Sequence, residues 1–415
     1  MKNFLKTYMS VIILLAAIII GAIVGIVFKE KAAVLSPLGD IFLNLMFVVI
    51  VPLIFLSIST SISKMKQPKR LGKIMITIIA MFVVTSLVAV FVGLAVAYPV
   101  KLVNPEDGET IKASLEQQEE PLTEEDDQTI LERTVSALTV NDFSKLLSKS
   151  NIIAIIVFSI LFGIAMNMAG EKAKPVEDFL NSAYEVIMKL IKIIMYYAPI
   201  GLGCYFAALI GTFGSSIAVG YAKTFVIYTV VAILFYIIVY TIYALIAGGK
   251  RGVVTFWKNI IPATVTALAT CSSAASIPVN TEASKKMGVS DDIAETMIPL
   301  GTSFHKDGSI IGSVFKIMFL VCLFGTSASI WQIILVALIA NLLITAVPIG
   351  GGTISEMMIL TMMGYPVAAL PILTIIATII DPPATVLNVI GDTSSSMLAA
   401  RIVDGKDWMD KSKKK

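Results

Sequence analysis

Long uninterrupted runs of hydrophobic residues dominate the first 250 positions of this chain. Runs of about 20 residues or more lie at 8–28, 40–63, 72–100, 151–170, 180–213 and 219–247. A helix of about 20 apolar residues crosses the roughly 30 Å hydrocarbon core of a bilayer, so each run predicts a transmembrane helix. Runs longer than about 25 residues must tilt or bend. We expect the fifth to kink at Pro199.

The pattern changes after residue 250, where polar residues interrupt two apolar runs. The segment 264–280 has a centre rich in serine and alanine, and the segment 346–353 has a proline and three glycines in its middle. Neither half of either segment is long enough to span a bilayer, which predicts two hairpins that enter and return. Each is followed by a long apolar segment that contains charge, at 293–323 and 366–403. Such paired interruptions indicate a transporter binding site.

Composition supports this interpretation. Of the 415 residues, 57% are apolar and 15% are charged, whereas soluble domains carry about 25% charged residues. The sequence excludes a soluble enzyme and a disordered protein. It predicts an all-α polytopic membrane protein with eight transmembrane helices and two re-entrant helical hairpins, arranged as inverted repeats.

Charged residues are distributed in a way that predicts the topology. The stretch 104–134 contains eleven acidic and two basic residues, and we expect a solvated extracellular loop there. Basic residues lie in short segments beside the apolar runs: Lys2, Lys6, Lys64, Lys66, Lys69, Arg70, Lys73, Lys172, Lys174, Lys250, Arg251, Lys411, Lys413, Lys414 and Lys415. The positive-inside rule then predicts a cell-membrane protein with both termini cytoplasmic. This pattern is not that of a nucleic-acid-binding protein.

Histidine and cysteine are too scarce to build a metal or disulfide framework. His305 is the only histidine, and Cys204, Cys271 and Cys322 lie in apolar surroundings. We expect no disulfides, no zinc or haem site and no cofactor. An intramembrane hydrolase is disfavoured because no nucleophilic serine element accompanies the one imidazole.

Four polar residues of the last long segment share one helix face. Asp381, Thr385, Asn388 and Asp392 follow one another at spacings of 4, 3 and 4. A carboxylate inside a membrane costs several kcal/mol unless it is paired, hydrated or neutralised. The face therefore predicts a polar track for a substrate or a cation. The alternative is a buried hydrogen-bond network that only joins helices.

Three consecutive ionisable residues, His305, Lys306 and Asp307, interrupt the other charged segment. They cannot all face the same way on a regular helix. Because Gly301 and Gly308 flank them, we expect local unwinding at this point.

The centre of the first hairpin offers further polar atoms. Ser272 and Ser273 would present hydroxyls and free N–H groups there, which suit a carboxylate. The alternative is that these small residues only allow helices to pack closely.

At these motifs the chain resembles the glutamate transporter family, the dicarboxylate/amino acid:cation symporters. The segment CSSAASIPVN at 271–280 resembles the family's serine-rich tip followed by proline, and PLGTSFHKDG at 299–308 resembles PLGATINMDG. VPIGGG at 347–352 is similar to the VPGAG-like second tip, and DPPATVLNVIGD at 381–392 to DMGRTMVNVTGD.

The resemblance implies a homotrimeric transporter that works as an elevator, with a fixed scaffold and a moving transport domain. The implied divisions are scaffold helices 1–2 at 1–70, transport-domain helix 3 at 71–103, the acidic extracellular loop at 104–135, scaffold helices 4–5 at 136–215, and the rest of the transport domain at 216–415.

The resemblance also implies roles for single residues. Asp381 would hold the substrate amino group and Asn388 its main-chain carboxylate. The implied substrate-binding set is Ser272, Ser273, Val347, Gly350, Gly351, Asp381, Ala384, Thr385 and Asn388. The implied cation and coupling set is Thr85, Ser86, Gly301, His305, Lys306, Asp307, Asn388 and Asp392, with sodium possible at Asp307 and Asp392.

The first departure from the family motifs concerns the substrate. Ala384 stands where members with acidic substrates have an arginine, and Cys271 stands where an archaeal relative has another. The acidic side chain of a bound substrate would then lack a cationic partner. Asp381 is retained, which suits an ammonium group. We therefore expect a small neutral amino acid, and a C4-dicarboxylate fits less well.

A second departure concerns the coupling ion. His305-Lys306 replaces the asparagine and methionine of the family motif, and Phe82 replaces a tyrosine beside Thr85. Our hypothesis is that Lys306 is a tethered substitute for sodium near Asp307 and Asp392, with a proton favoured over sodium as the coupling ion. The alternative is that Lys306 extends away and sodium binds as usual. Glu356, in the second hairpin, is a further proton-carrier candidate.

The sequence thus predicts a secondary active transporter for a small neutral amino acid, independent of sodium and either proton-coupled or exchanging. The alternative is a sodium-coupled symporter of amino acids or C4-dicarboxylates. Two closed hairpin tips favour alternating access over a passive channel. Expected partners are the small-molecule substrate, the lipid bilayer and two further copies of the chain.

Overall fold

The structure of the chain, a computed structural model, describes residues 2–63, 71–103, 139–148, 151–213, 215–342 and 352–411. Within these ranges the regular structure is helical and contains no strand. The α-helices are α1 Lys2–Phe28, α2 Ser36–Ser63, α3 Leu71–Ala97, α4 Phe143–Leu146, α5 Ile152–Ala169, α6 Lys174–Phe213, α7 Ser215–Leu234, α8 Tyr240–Asn259, α9 Ile261–Thr270, α10 Ser273–Lys286, α11 Asp291–Phe304, α12 Asp307–Leu323, α13 Ile330–Leu342, α14 Gly352–Met363, α15 Leu370–Val403 and α16 Trp408–Lys411.

One group of helices consists of α1, α2, α5 and α6. Helix α6 packs along both α1 and α2, and α2 packs on α5. Small residues allow the close approach: a Cβ atom on Gly21 of α1 would lie 2.2 Å from the carbonyl oxygen of Gly203 in α6. Close packing through glycine is typical of helices that associate inside a membrane, where water is not available to drive association.

The predicted kink in the fifth apolar run is present. The helix axis turns by 52° between Ile194 and Tyr196, one turn before Pro199. The proline ring clashes with the carbonyl group four residues earlier, so the bend falls there.

The second group of helices is built around α15. This helix is buried along most of its length, and α3, α7, α8, α9, α10, α11, α12 and α14 pack against it. Helices α7 and α8 are joined by a π-helical turn at Phe235–Val239. The C-terminal end is fixed by the buried Trp408, whose indole N–H donates to the carbonyl of Ala247 at 2.9 Å.

The two interrupted segments are both broken helices. In the first, α9 and α10 pack against each other, and the chain reverses at Cys271, which adopts a left-handed conformation with φ +46°. In the second, α13 and α14 pack against each other. Val347, Gly350 and Gly351 lie outside the described residues, as does the whole acidic loop predicted at 104–135.

By length and apolar composition, three helical stretches of the described chain can cross a membrane: Ile76–Ala97, Ile217–Asn259 and Val367–Val403. The bent pair Val157–Ile194 and Tyr196–Thr212 adds a fourth if it is counted as one span. A count of eight spans, the re-entrant depth of the hairpins and the division into scaffold and transport domain stay predictions.

Candidate functional site

The predicted unwinding between the two halves of the 293–323 segment is present. Helix α11 ends at Phe304 and α12 begins at Asp307. Between them His305 is extended, with φ −124° and ψ 114°, and Lys306 has φ −144° and ψ 68°. In an extended backbone alternate residues face the same side. His305 and Asp307 therefore turn inward together.

The imidazole of His305 lies between two carboxylates in a fully buried position. Its Nδ1 is 2.9 Å from an oxygen of Asp392 and its Nε2 is 3.1 Å from an oxygen of Asp307. Nε2 is also 2.7 Å from the hydroxyl of Thr85. The ring stacks on Phe82 with centroids 4.6 Å apart and planes 8° from parallel. Both ring nitrogens of His305 thus have polar neighbours, and Phe82 covers one face of the ring.

Each ring nitrogen of His305 has an oxygen within hydrogen-bond distance, as a doubly protonated imidazole requires. The single hydroxyl proton of Thr85 is directed at the carbonyl of Met81, at 2.8 Å. The Thr85 oxygen can then accept from Nε2–H, while an ionised Asp392 accepts from Nδ1–H. One imidazolium between two carboxylates reduces the charge buried in this region, which lowers the cost of placing it there.

Two glycines allow the carboxylates to reach this position. A Cβ atom on Gly301 would lie 2.2 Å from an Asp392 oxygen, and one on Gly391 would lie 2.7 Å from an Asp307 oxygen. The sequence-based prediction that Gly301 belongs to the cation region thus has a structural basis in its contact with Asp392.

Tyr240, which the sequence analysis missed, completes the surroundings of Asp307. Its hydroxyl is 3.2 Å from the second oxygen of Asp307 and 2.7 Å from the carbonyl oxygen of Leu387. In the described part of the chain, Ser86 Oγ, the second Asp392 oxygen and the Asp307 oxygen nearest to His305 are buried without a hydrogen-bond partner. An aromatic residue within an apolar run gave no sequence signal for this role.

The hypothesis that Lys306 substitutes for sodium near Asp307 and Asp392 stays a prediction, and the side chain that the structure places between the two carboxylates is that of His305. Lys306 occupies the intervening position of the segment between α11 and α12. It is only partly buried. Its charge still acts on Asp392, so both cations of the motif contribute to the electrostatics of the region.

The four polar residues of α15 share one face, as their spacing predicts. Asn388 is bound to Ser309 of α12: its amide oxygen accepts from the Ser309 backbone N–H and its amide group donates to the Ser309 hydroxyl, both at 3.1 Å. Asp381, partly buried, receives a long hydrogen bond of 3.4 Å from Thr385. Within the described residues this leaves much of the Asp381 carboxylate available to another donor.

Helices α12 and α15 run antiparallel through this region. A Cβ atom on Gly308 would lie 2.2 Å from the carbonyl oxygen of Ala384, and one on Gly312 would lie 2.8 Å from the end of the Ile380 side chain. The start of α12 is therefore held directly against the substrate face predicted for α15.

The tip of the first hairpin is an N-terminal helix cap. The hydroxyl of Ser272 accepts from the N–H of Ala275 at 3.2 Å, and Ser273 begins α10. Cys271 lies close enough to Asp381 for the two to interact electrostatically. The return arm is held to α15 by Asn280, whose amide donates to the carbonyl of Val389 at 2.8 Å.

A second buried ionic group lies between α12, α14 and α15. The ammonium of Lys316 is 3.0 Å from one oxygen of Glu356, and the hydroxyl of Thr374 donates to the other at 2.9 Å. Glu356 is buried. The sequence analysis missed its partner Lys316, because a single lysine in an apolar run can also mark the end of a membrane helix.

Among the described residues, no three His, Cys, Asp or Glu side chains are arranged to hold a metal ion.

A bundle of apolar helices around buried, balanced charges defines a membrane transporter rather than an enzyme. The chain matches the sodium:dicarboxylate symporter family over residues 10–402, and it belongs to this family. This confirms the resemblance to glutamate transporter homologues.

Curated relatives match over almost their whole lengths. The chain is 26% identical to a proton/sodium-glutamate symport protein of Bacillus subtilis (strain 168), over 92% of this chain and 90% of the relative. It is 29% identical to a C4-dicarboxylate transport protein of Agrobacterium fabrum, over 93% and 86% respectively. It is 28% identical to a C4-dicarboxylate transport protein of Bacillus subtilis, over 97% and 94%.

Proposed function

We propose that this protein carries a small neutral amino acid across the cell membrane without sodium, and that the imidazolium of His305 serves as the coupling cation. The observation that carries the proposal is the position of the ring, with Nδ1 2.9 Å from Asp392 and Nε2 3.1 Å from Asp307. These are two carboxylates at which the family resemblance places sodium.

The charge balance explains why sodium becomes unnecessary. The imidazolium already compensates one of the two carboxylates, and its ring fills the space between them. A sodium ion added there would have to displace the ring or lie beside a second cation. A histidine side chain can take up and release a proton. Its protonation can therefore replace ion binding, with Asp307, Asp392 and Thr85 as the groups that face the ring nitrogens.

Substrate choice follows from the face of α15. Asp381 offers a carboxylate to an ammonium group, and Ala384 offers no cation to a second substrate carboxylate. Burying an unpaired charge costs far more than a methyl group gains. Asn388, at hydrogen-bond distance from Ser309, and the tip of the first hairpin supply donors for the main-chain carboxylate.

We further propose that the chain works as an elevator in a homotrimer, with α1, α2, α5 and α6 in the scaffold and both termini in the cytoplasm. The packing of α6 supports this division, because it lies mainly on α1 and α2 and contacts α7 and α15 only slightly.

The names of the relatives favour a second candidate function. They include glutamate and C4-dicarboxylate transporters. On this basis the chain would be a symporter of acidic substrates, driven by sodium or protons.

The test is uptake into proteoliposomes that contain the purified chain. Radiolabelled serine, alanine and threonine are compared with aspartate and succinate, first with sodium replaced by choline and then with an inward proton gradient. We expect serine-like substrates to be taken up equally with or without sodium and to be stimulated by the proton gradient. An absolute need for sodium would contradict the coupling proposal, and preferred uptake of aspartate or succinate would support the second candidate.

His305→Asn and Lys306→Met separate the two cations. We expect His305→Asn to lose the response to the proton gradient, because the titrating ring is gone. Lys306→Met should keep that response. The reverse result would return the coupling role to Lys306.

A further inference from the structure

The Lys316–Glu356 pair has no part in the proposed coupling centre, although it is buried at a comparable depth. The side chains of Lys316 and Glu356 are 7% and 1% exposed, and their charged atoms are 3.0 Å apart. A buried ion pair is often no more stabilising than apolar residues of the same volume, because both charges lose their hydration. Stability alone is therefore a weak explanation for it.

The pair lies beside the substrate face of α15. Gly312 of α12 faces Ile380, so Lys316, one turn further along the antiparallel α12, lies opposite the turn that precedes Ile380. At this position the charge of Lys316 acts on the carboxylate of Asp381. Thr374 and Thr378 continue the polar face of α15 from Asp381 toward the pair, at spacings of 3 and 4.

Glu356 is oriented so that it faces Lys316. One of its oxygens contacts the ammonium, and the other accepts the hydroxyl proton of Thr374 at 2.9 Å. Both oxygens are thus occupied by neighbours on α12 and α15. The ammonium of Lys316 is thus compensated locally by Glu356.

We propose that Glu356 is a specificity-determining residue: by pairing with Lys316 it limits how far this ammonium compensates Asp381 or attracts a second substrate carboxylate. A substrate must then bring its own ammonium group. The inference rests on the proposed function, because it takes Asp381 as the site for the amino group. Glu356 acts through Lys316 and Asp381 and need not touch the substrate.

Three variants test this assignment through the ratio of kcat/KM for serine to that for succinate, a dicarboxylate without an amino group. Glu356→Gln leaves Lys316 uncompensated, and we expect the ratio to fall about tenfold, as for one unit charge acting over roughly 10 Å. Lys316→Met leaves Glu356 uncompensated and should move the ratio in the opposite direction. The double variant K316M/E356M removes both charges and should keep the wild-type ratio.

The two single variants are expected to change the kcat/KM ratio in opposite directions, so either of them tests the proposal if the other fails to fold. If one single variant does not purify as a monodisperse protein, the other still decides. Unchanged ratios in folded single variants would overturn the proposal. So would loss of both single variants with a stable double variant, since that result assigns the pair a purely structural role.

The wild-type uptake experiment separates this inference from the proposed function. The substrate panel of the wild-type chain judges the proposed function, whereas only the change in ratio on substitution judges the role of Glu356. If the wild-type chain prefers succinate and the single variants leave the kcat/KM ratio unchanged, the proposed function and the role of Glu356 are both wrong. If the wild-type chain prefers serine and the ratio is unchanged, only the role of Glu356 is wrong.

Discussion

A cation that is covalently part of the chain differs from a bound ion in one thermodynamic respect. Binding a free sodium ion depends on its concentration on each side of the membrane. The ring of His305, held by Asp392, Asp307 and Thr85, depends only on its protonation. If His305 replaces sodium as we propose, transport can be driven only by a proton gradient, and this is why the sodium and proton arms of the uptake experiment give opposite expectations.

Two tyrosines one helical turn apart offer a matched test of the coupling centre. Tyr240→Phe removes a hydroxyl that contacts Asp307 and the carbonyl of Leu387, and leaves buried acceptors unsatisfied. We expect a loss of about 1–3 kcal/mol in stability, measured as a lower temperature of thermal unfolding in detergent. Tyr243→Phe is the control, because the hydroxyl of Tyr243 has no hydrogen-bond partner in the described chain. Equal effects of the two substitutions would contradict this account of Tyr240.

Some residues of this centre can be found from sequence and others cannot. Asp307 and Asp392 are identified because a carboxylate in an apolar segment needs a partner. The choice between His305 and Lys306 depends on the backbone dihedral angles at the helix break, which no spacing rule supplies. Tyr240 is missed because its hydroxyl matters only through contacts with residues far away in the sequence.

At the scale of elements, the contact between α12 and α15 sets the geometry of the substrate face. Gly308→Ala would place a Cβ atom 2.2 Å from the backbone oxygen of Ala384, which cannot move without shifting α15. We expect it to cost about 1–3 kcal/mol of stability through overpacking and to reduce substrate affinity, as measured by thermal unfolding and KM.

Gly312→Ala is the control on the same face of the same helix. Its Cβ atom would meet only the end of the Ile380 side chain, at 2.8 Å. A side-chain end can rotate away, so we expect a smaller effect. If Gly312→Ala is as damaging as Gly308→Ala, the effect of Gly308→Ala does not come from the short distance between the backbones of α12 and α15.

Bends and breaks in the helices can be predicted from the sequence where a single local cause produces them. The bend before Pro199 and the break at His305-Lys306 follow from ring geometry and from charges that cannot share one helix face. Lys316 shows the limit of this approach. Its partner Glu356 lies 40 positions further along the chain, and only the packing of α12 against α14 brings the two side chains together.

At the scale of the whole molecule, the distribution of charge makes the topology testable. The acidic segment 104–134 and the basic C-terminal segment should lie on opposite sides of the membrane, because lysines near membrane spans favour the cytoplasm. Single cysteines at Ser114 and Ser412, introduced into a chain without Cys204, Cys271 and Cys322, report the two sides to a membrane-impermeant maleimide.

In intact cells we expect Ser114→Cys to be labelled at once and Ser412→Cys to be labelled only after permeabilisation. The three native cysteines are free thiols in the structure, so their replacement breaks no disulfide, and retained serine uptake checks that the chain still folds. Labelling of both positions in intact cells would place the C-terminus outside. The number of spans between the two positions would then be even rather than odd, and the direction of the proton gradient that drives uptake in cells would have to be assigned again.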